Sequence, residues 1–212
     1  MMTYEELQRA HPELFNNPDD APIRVRAKAA GDGTHGILYA DPYLLLLRDP
    51  VVFASGRAGS YLRIIDQPIG VPGVAVLPRH QGNIILINHF RHATRRHHLE
   101  IPRGYGETGR SSVENAAKEV LEEIGGHIEH LINLGSLTWN SGLSNGCTDL
   151  FLADLDEIGA PATEEGVSAI MPVTLSIFEE WIASGRIADS FTIACWSRAH
   201  LRGLLSSPVP TA

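Results

Sequence analysis

Cysteine is nearly absent from this chain: Cys147 and Cys195 are the only two in 212 residues, too few for a disulfide framework, and neither has neighbours that suggest a nucleophile. Long apolar runs are absent too. The longest, Tyr43 to Leu47, has the length of a strand, against the ~18 apolar residues of a membrane span. The first residues are acidic and polar and lack the basic and apolar regions of a secretion signal. Positive charge is in short supply. Seventeen Lys and Arg against 25 Asp and Glu leave a formal charge of −8, which argues against a general partner of nucleic acid or of anionic membranes. An anionic substrate must then be met by local arginines or by a metal ion. No internal repeat or low-complexity segment interrupts the chain. Together these absences predict a cytoplasmic globular protein with reduced cysteines and a full core.

The chain begins with Thr3 as the cap of a short amphipathic helix reaching Ala10, followed by a Pro- and Asn-bearing loop from His11 to Pro22. Ile23 to Lys28 alternates apolar with basic residues, the pattern of a half-exposed strand. Tyr43 to Leu47 and Val51 to Ala54 read as two further strands, with Arg48-Asp49-Pro50 turning between them. None of this carries a chemical motif, and it is assigned to an N-terminal β extension over residues 1–58. A second domain is expected over 59–205. Its strands are Tyr61 to Asp66, Gly73 to Leu77, Ile84 to Phe90, His127 to Leu137, Asp149 to Asp154 and Val167 to Val173. Helices are expected at Leu175 to Ala183 and Ser190 to Leu205, and a loose tail at 206–212.

Between those strands lies the densest chemistry, LEIPRGYGETGRSSVENAAKEVLEEIGG from Leu99 to Gly126. Gly104, Gly106 and Gly109 make a loop, and Ser111-Ser112-Val113-Glu114 has the spacing of a capping box that starts a helix. Val113, Ala116, Ala117, Val120, Leu121 and Ile124 recur at helical spacing and predict the buried stripe. Glu119, Glu122 and Glu123 then share a face largely opposite it. Three carboxylates at i, i+3 and i+4 repel one another when solvated, and only Lys118 is near to relieve them. The pattern suits a hard divalent cation, since Mg²⁺ takes carboxylate oxygens and keeps waters for a phosphate substrate. An acidic, solvated helix face fits these residues equally well.

With its loop, the stretch resembles the signature of the Nudix hydrolase superfamily, Gly-x5-Glu-x7-Arg-Glu-U-x-Glu-Glu-x-Gly-U, where U is bulky and apolar. Gly104 opens it, and Lys118 to Gly125 follows its second half with all three glutamates in register. Arg110 stands where the signature has glutamate, Lys118 where it has arginine, and Gly126 where it has an apolar residue. In the family that glutamate and arginine help to hold loop to helix. Arg110 and Lys118 repel, so the brace is either missing or rebuilt through Glu107 or Glu114. The flanking NHFRHATRRHHLEIPRG and the stretch from Thr163 to Ala199 resemble the ADP-ribose pyrophosphatase branch.

The resemblance implies an α/β/α sandwich on a mixed central sheet, a small N-terminal sheet that helps to build a homodimer, and Mg²⁺ or Mn²⁺ as cofactor. It implies hydrolysis of a nucleoside diphosphate linked to another moiety, with ADP-ribose giving AMP and ribose 5-phosphate as the best guess. The alternatives are another sugar nucleotide or dinucleoside polyphosphate, or a domain that has lost catalysis and only binds nucleotide. Carried onto this chain, Glu119, Glu122, Glu123 and the carbonyl of Arg103 are the expected metal ligands. Glu164 or Glu165, from an acidic loop, is expected to activate water, with a slight preference for Glu164. Arg91, at a strand end, is expected to clamp a diphosphate. Arg96, Gly104 and Asn145 are the other expected substrate contacts. A zinc site among His89, His92, His97 and His98 is disfavoured, because consecutive histidines on a strand point to opposite faces.

Overall fold

A computed structural model describes residues 2–29 and 32–205; the tail expected at 206–212 lies outside the described residues. The chain forms two compact units, Met1–Gly70 with Asn140–Gly146, and Val71–Trp139 with Cys147–Ala212.

In the first unit, helix α1 (Tyr4–Ala10) starts at Thr3 through a full capping box with Glu6. Strands β1 (Ile23–Val25) and β2 (Gly36–Ala40) both run antiparallel to β3 (Leu44–Phe53), which is also antiparallel to β4 (Ala58–Asp66). The expected turn at Arg48-Asp49-Pro50 does not exist; the two predicted strands are one. Asp49 is only 2% exposed and is no turn residue. Its carboxylate accepts from Tyr4 Oη and from Arg63 Nε, each at 2.5 Å. Pro50 lacks a donor, but its carbonyl accepts from Arg26 N at 2.8 Å, so the strand loses only one ladder bond. Strand β2 was not anticipated, because GILYA is short and its exposed Leu38 and Tyr39 break the alternation. Strand β4 begins where the second domain was expected to begin, yet belongs to this sheet, so the N-terminal segment of the unit runs to Gly70. Leu7, Leu45, Leu47 and Ile65 form its core.

The segment 140–146 lies along β4. Ile64 N donates to Leu143 O at 2.7 Å, Asn145 N to Ile64 O at 3.2 Å, and Asp66 N to Asn145 Oδ1 at 3.0 Å. Tyr61 Oη donates to Gly142 O at 3.1 Å. These bonds use donors and acceptors that a bare edge strand would leave open.

The second unit is a seven-stranded mixed sheet. In chain order its strands are β5 (Gly73–His80), β6 (Asn83–Arg91), β7 (Arg96–Glu100), β8 (Arg103–Gly104), β9 (His127–Thr138), β10 (Cys147–Glu157) and β11 (Val167–Val173). The order across it is β11-β6-β5-β10-β9, with β7 on β6 and β8 on β5. Among the described residues, β5 and β10 are the one parallel pair of this sheet. Successive residues of β5 point to opposite faces. Val74 and Val76 meet Ala116, Val120 and Ile124 of helix α2 (Ser112–Ile124) in one core. Ala75 and Leu77 share the other core with Phe178 of α3 (Leu175–Ala183) and with Cys195 and Ala199 of α4 (Ser190–Leu201). This is the expected α/β/α sandwich. Helix α4 stops at Leu201, four residues short of the expected Leu205, with Arg202 as its C-cap.

Candidate active site

Helix α2 starts as its sequence predicts. Ser111 Oγ accepts from Glu114 N at 3.2 Å, and Glu114 Oε2 accepts from Ser111 N at 2.8 Å. Its inward face differs from the expected stripe. Asn115, Ala116, Val120, Glu123 and Ile124 are buried, whereas Val113 and Leu121 are 55% and 48% exposed and Ala117 is exposed. The helix is turned so that Glu123 faces inward with the apolar residues and Val113 and Leu121 give up their places. The reason is the loop at β8, which offers a backbone donor: Arg103 N donates to Glu123 Oε2 at 3.1 Å.

A solvated face is therefore excluded for two of the three glutamates. Glu123 is 3% exposed, and the side chain of Glu119 13%. Burial pushes the Glu123 carboxyl up to about 8; the charges of Glu119 and Glu100 add to this, and the Arg103 N–H and Arg91 oppose it. Burial also raises Glu119, which Lys118 opposes and Glu122, Glu165 and Glu107 reinforce. A Cβ at Gly104 would lie 2.2 Å from Glu119 Cδ, so any other residue there would push that carboxylate out of its present position. Gly104 thus shapes the carboxylate's seat. Glu122 stays in solvent, its carboxylate accepting from Lys118 Nζ.

The loop-to-helix brace exists in rebuilt form. Glu107 accepts from Arg110 Nε at 2.9 Å through one oxygen and faces Lys118 Nζ at 3.2 Å through the other. One carboxylate thereby bridges the two cations that were expected to repel, and Glu114 is left to the cap.

Arg91 ends β6, and its Nη2 donates to Glu100, which is 1% exposed. Glu100 also has Arg103 Nη2 at 3.8 Å and His89 Nδ1 at 3.4 Å. Burial raises its carboxyl, and the two guanidinium groups oppose this. The Nε atoms of Arg91 and Arg103 are buried without a hydrogen-bond partner, as is His89 Nδ1; Arg103 Nε has Asp189 Oδ1 at 3.9 Å. Arg103 also lies over the Phe191 ring, 5.0 Å from its centroid. Arg96 faces Arg91 across the β6–β7 ladder and is exposed.

Glu164 and Glu165 occupy a short 3-10 turn, Thr163–Glu165, ahead of β11. Of the two, Glu165 is the one whose charge acts on Glu119. Asn145, expected to contact substrate, belongs to the first unit, where its side chain accepts from Asp66 N at the edge of β4.

Sequence reasoning passed over Glu100 and considered His89 only as a zinc ligand. Glu100 gave a faint signal, a carboxylate between Leu99 and Ile101 at a strand end. His89 gave a clearer one: it continues the every-second-residue stripe Ile85, Ile87 into a buried position.

Among the described residues no three His, Cys, Asp or Glu side chains already converge as a closed metal cage. The donors nevertheless fit Mg²⁺ or Mn²⁺. They are hard oxygens, two of them on desolvated carboxylates that a cation would neutralise.

No family model matches the chain, and no curated protein matches it by sequence. Among solved structures, one described as an ADP compounds hydrolase is similar to 85% of this chain and 92% of its own, with a TM-score of 0.66 and 17% identity. At that identity the likeness establishes the shared fold.

Proposed function

We propose that the protein is a metal-dependent hydrolase of the Nudix kind, cleaving the diphosphate of a nucleoside diphosphate linked to another moiety, with ADP-ribose as the leading candidate. The observation that carries this reading is the burial of Glu119 and Glu123 against the Arg103–Gly104 loop. Two carboxylates desolvated side by side are costly when ionised, and a divalent cation can take the place of the protons that otherwise neutralise them. The fold shared with an ADP compounds hydrolase agrees with it. Glu119, Glu122, Glu123 and the Arg103 carbonyl would hold the ion, Mg²⁺ or Mn²⁺. Bound there, it supplies charge neutralisation on the diphosphate and acidification of water.

The chain's own residues do the rest. Arg91, paired on one side with Glu100, turns its remaining N–H groups to the diphosphate. Glu165 takes the proton of the attacking water, since its charge already reaches Glu119. Water attacks one phosphorus, the bridging P–O bond breaks, and with ADP-ribose the products are AMP and ribose 5-phosphate. The bridged brace at Glu107 favours hydrolysis over mere binding, because loop and helix are tied despite the two changed residues. Incubation with ADP-ribose and Mn²⁺, read by chromatography of AMP, tests the reading. Product from the wild type and none from Glu123→Gln is expected; no hydrolysis of any diphosphate-linked nucleotide overturns it.

The first unit serves a homodimer of cytoplasmic protein in this reading. Ile23, Leu38, Tyr39 and Leu62 are large apolar side chains left exposed on it. Sedimentation at the monomer mass would refute the dimer.

A further inference from the structure

We infer that Ser60 is a nucleophile, activated by His35 and Asp32, that takes the acyl group of small carboxylic esters and hydrolyses them without metal. The three residues belong to the first unit and join in one chain of hydrogen bonds. Asp32 Oδ2 is 2.5 Å from His35 Nδ1, and His35 Nε2 is 2.7 Å from Ser60 Oγ. The roles follow from what each atom can do. A carboxylate only accepts, so Nδ1 carries the proton that faces Asp32. Thr34 Oγ1, 3.1 Å from Nδ1, donates its own hydrogen to Asp32 Oδ1 and offers the ring only lone pairs. In the neutral ring Nε2 is therefore the lone-pair nitrogen, and the Ser60 hydroxyl donates to it. A hydroxyl, a base within reach of its proton and a third group fixing the base's tautomer make an activated nucleophile.

The two oxygens of Asp32 divide the work. Oδ1 accepts from Thr34 N at 2.8 Å, Thr34 Oγ1 at 2.7 Å and His35 N at 3.3 Å, which shapes the loop, and Oδ2 is left to the ring. The bonds from Thr34 and His35 hold this carboxyl below the usual range, so it stays ionised. The side chains of Asp32 and His35 are 18% and 16% exposed, whereas Ser60 is exposed. Base and carboxylate are thus largely shielded while the hydroxyl stays open to a reactant. The sheet supplies one further group. The N–H groups of Ile64 and Asp66 point away from β3 and bond to segment 140–146, and β4 keeps its register with β3 from Ala58 to Asp66. By alternation the Ser60 N–H points away from β3 as well, and no bond from 140–146 reaches it among the described residues. It can donate to the oxygen of an adduct forming on its own Oγ.

As Oγ bonds to the ester carbonyl carbon, its proton passes to His35 Nε2. The bond to the alcohol oxygen then breaks, and the alcohol leaves with that proton. Water attacks the acyl-serine with His35 again as base, which releases the carboxylic acid and restores Ser60. A positioned base is worth about 10²–10⁴-fold, and with one N–H at the oxyanion the reaction suits small, activated esters.

The test uses the full chain, p-nitrophenyl acetate and EDTA, so that no divalent cation contributes. Wild type should release p-nitrophenol and, quenched in acid, carry an acetyl group at Ser60 by peptide mass mapping. Ser60→Ala should lower the rate at least about 10-fold, which a surface histidine acting alone would not show. His35→Gln and Asp32→Asn should each lower it by about 10-fold or more, with circular dichroism unchanged. Asp32→Asn keeps an acceptor for Thr34 N, but its amide can present N–H to Nδ1 and so move the ring's lone pair away from Ser60. A Ser60→Ala rate within about 3-fold of wild type overturns the inference. So does an acetyl group found on His35 or a lysine and not on Ser60.

Discussion

Replacing Glu123 by Gln should make the metal-free protein more stable and at the same time ruin the proposed metal site. The side chain is 3% exposed and its carboxyl is displaced from 4.5 to about 8. At about 1.4 kcal/mol for each pH unit, ionising it inside the fold costs on the order of a few kcal/mol. The sign follows from proton counting. Between 4.5 and about 8 the native state keeps a proton that the unfolded chain has lost, so stability falls as pH rises through that window. The contribution is fully present below 4.5 and gone above about 8. Glutamine is isosteric with the protonated form and can still accept from Arg103 N, so it removes the dependence without removing the bond. By thermal denaturation without metal at pH 8.5, Glu123→Gln should melt roughly 5–10 °C above wild type, and the two should coincide near pH 4.5. Added Mn²⁺ should stabilise wild type and not the variant, whose affinity by calorimetry should drop at least about 10-fold. A variant that is equal to or weaker than wild type at pH 8.5 would refute the desolvated carboxylate and return Glu123 to a solvated helix face.

Three further outcomes follow from the same geometry. Glu107→Gln should leave the unfolding free energy within about 1 kcal/mol of wild type, because its ion pairs are half-exposed, yet lower kcat about 10-fold by freeing the loop from α2; an unchanged rate would show the brace idle. Gly104→Ala forces a methyl against Glu119 Cδ and should weaken Mn²⁺ binding about 10-fold or more, measured by calorimetry on protein shown folded by circular dichroism. Asp49→Ala leaves Arg63 partly buried without its carboxylate and removes the acceptor of Tyr4 Oη, so urea denaturation should show a loss of roughly 3–5 kcal/mol; a loss under about 1 kcal/mol would place that stability elsewhere.

The glutamate register and the capping box of α2 were legible in the sequence because each depends on contacts within one helical turn. The rotation of the helix was not. Glu123 turns inward and Leu121 outward because of a backbone donor at Arg103, twenty residues earlier in the chain and brought near by β8. The same applies to Asp49-Pro50, which reads as a turn until Tyr4 and Arg63 bury the carboxylate between them. Glu107 was legible as a candidate brace, since it lies three residues from Arg110, a spacing that pairs charges locally. His89 and Glu100 were not legible as a pair, because β6–β7 pairing and the position of the turn before β11 decide what surrounds them.

Segment 140–146 has a consequence for how the protein is made. The first unit closes along β4 with bonds from Leu143, Asn145 and Gly142, yet the intervening stretch 71–139 is translated between β4 and those residues. The N-terminal seventy residues therefore leave the ribosome first but finish their sheet late, waiting on β5, β6, α2 and β9. Nor can they be transplanted as a cassette onto another protein: a graft that takes residues 1–70 alone takes β4 without the strip 140–146 that covers its edge.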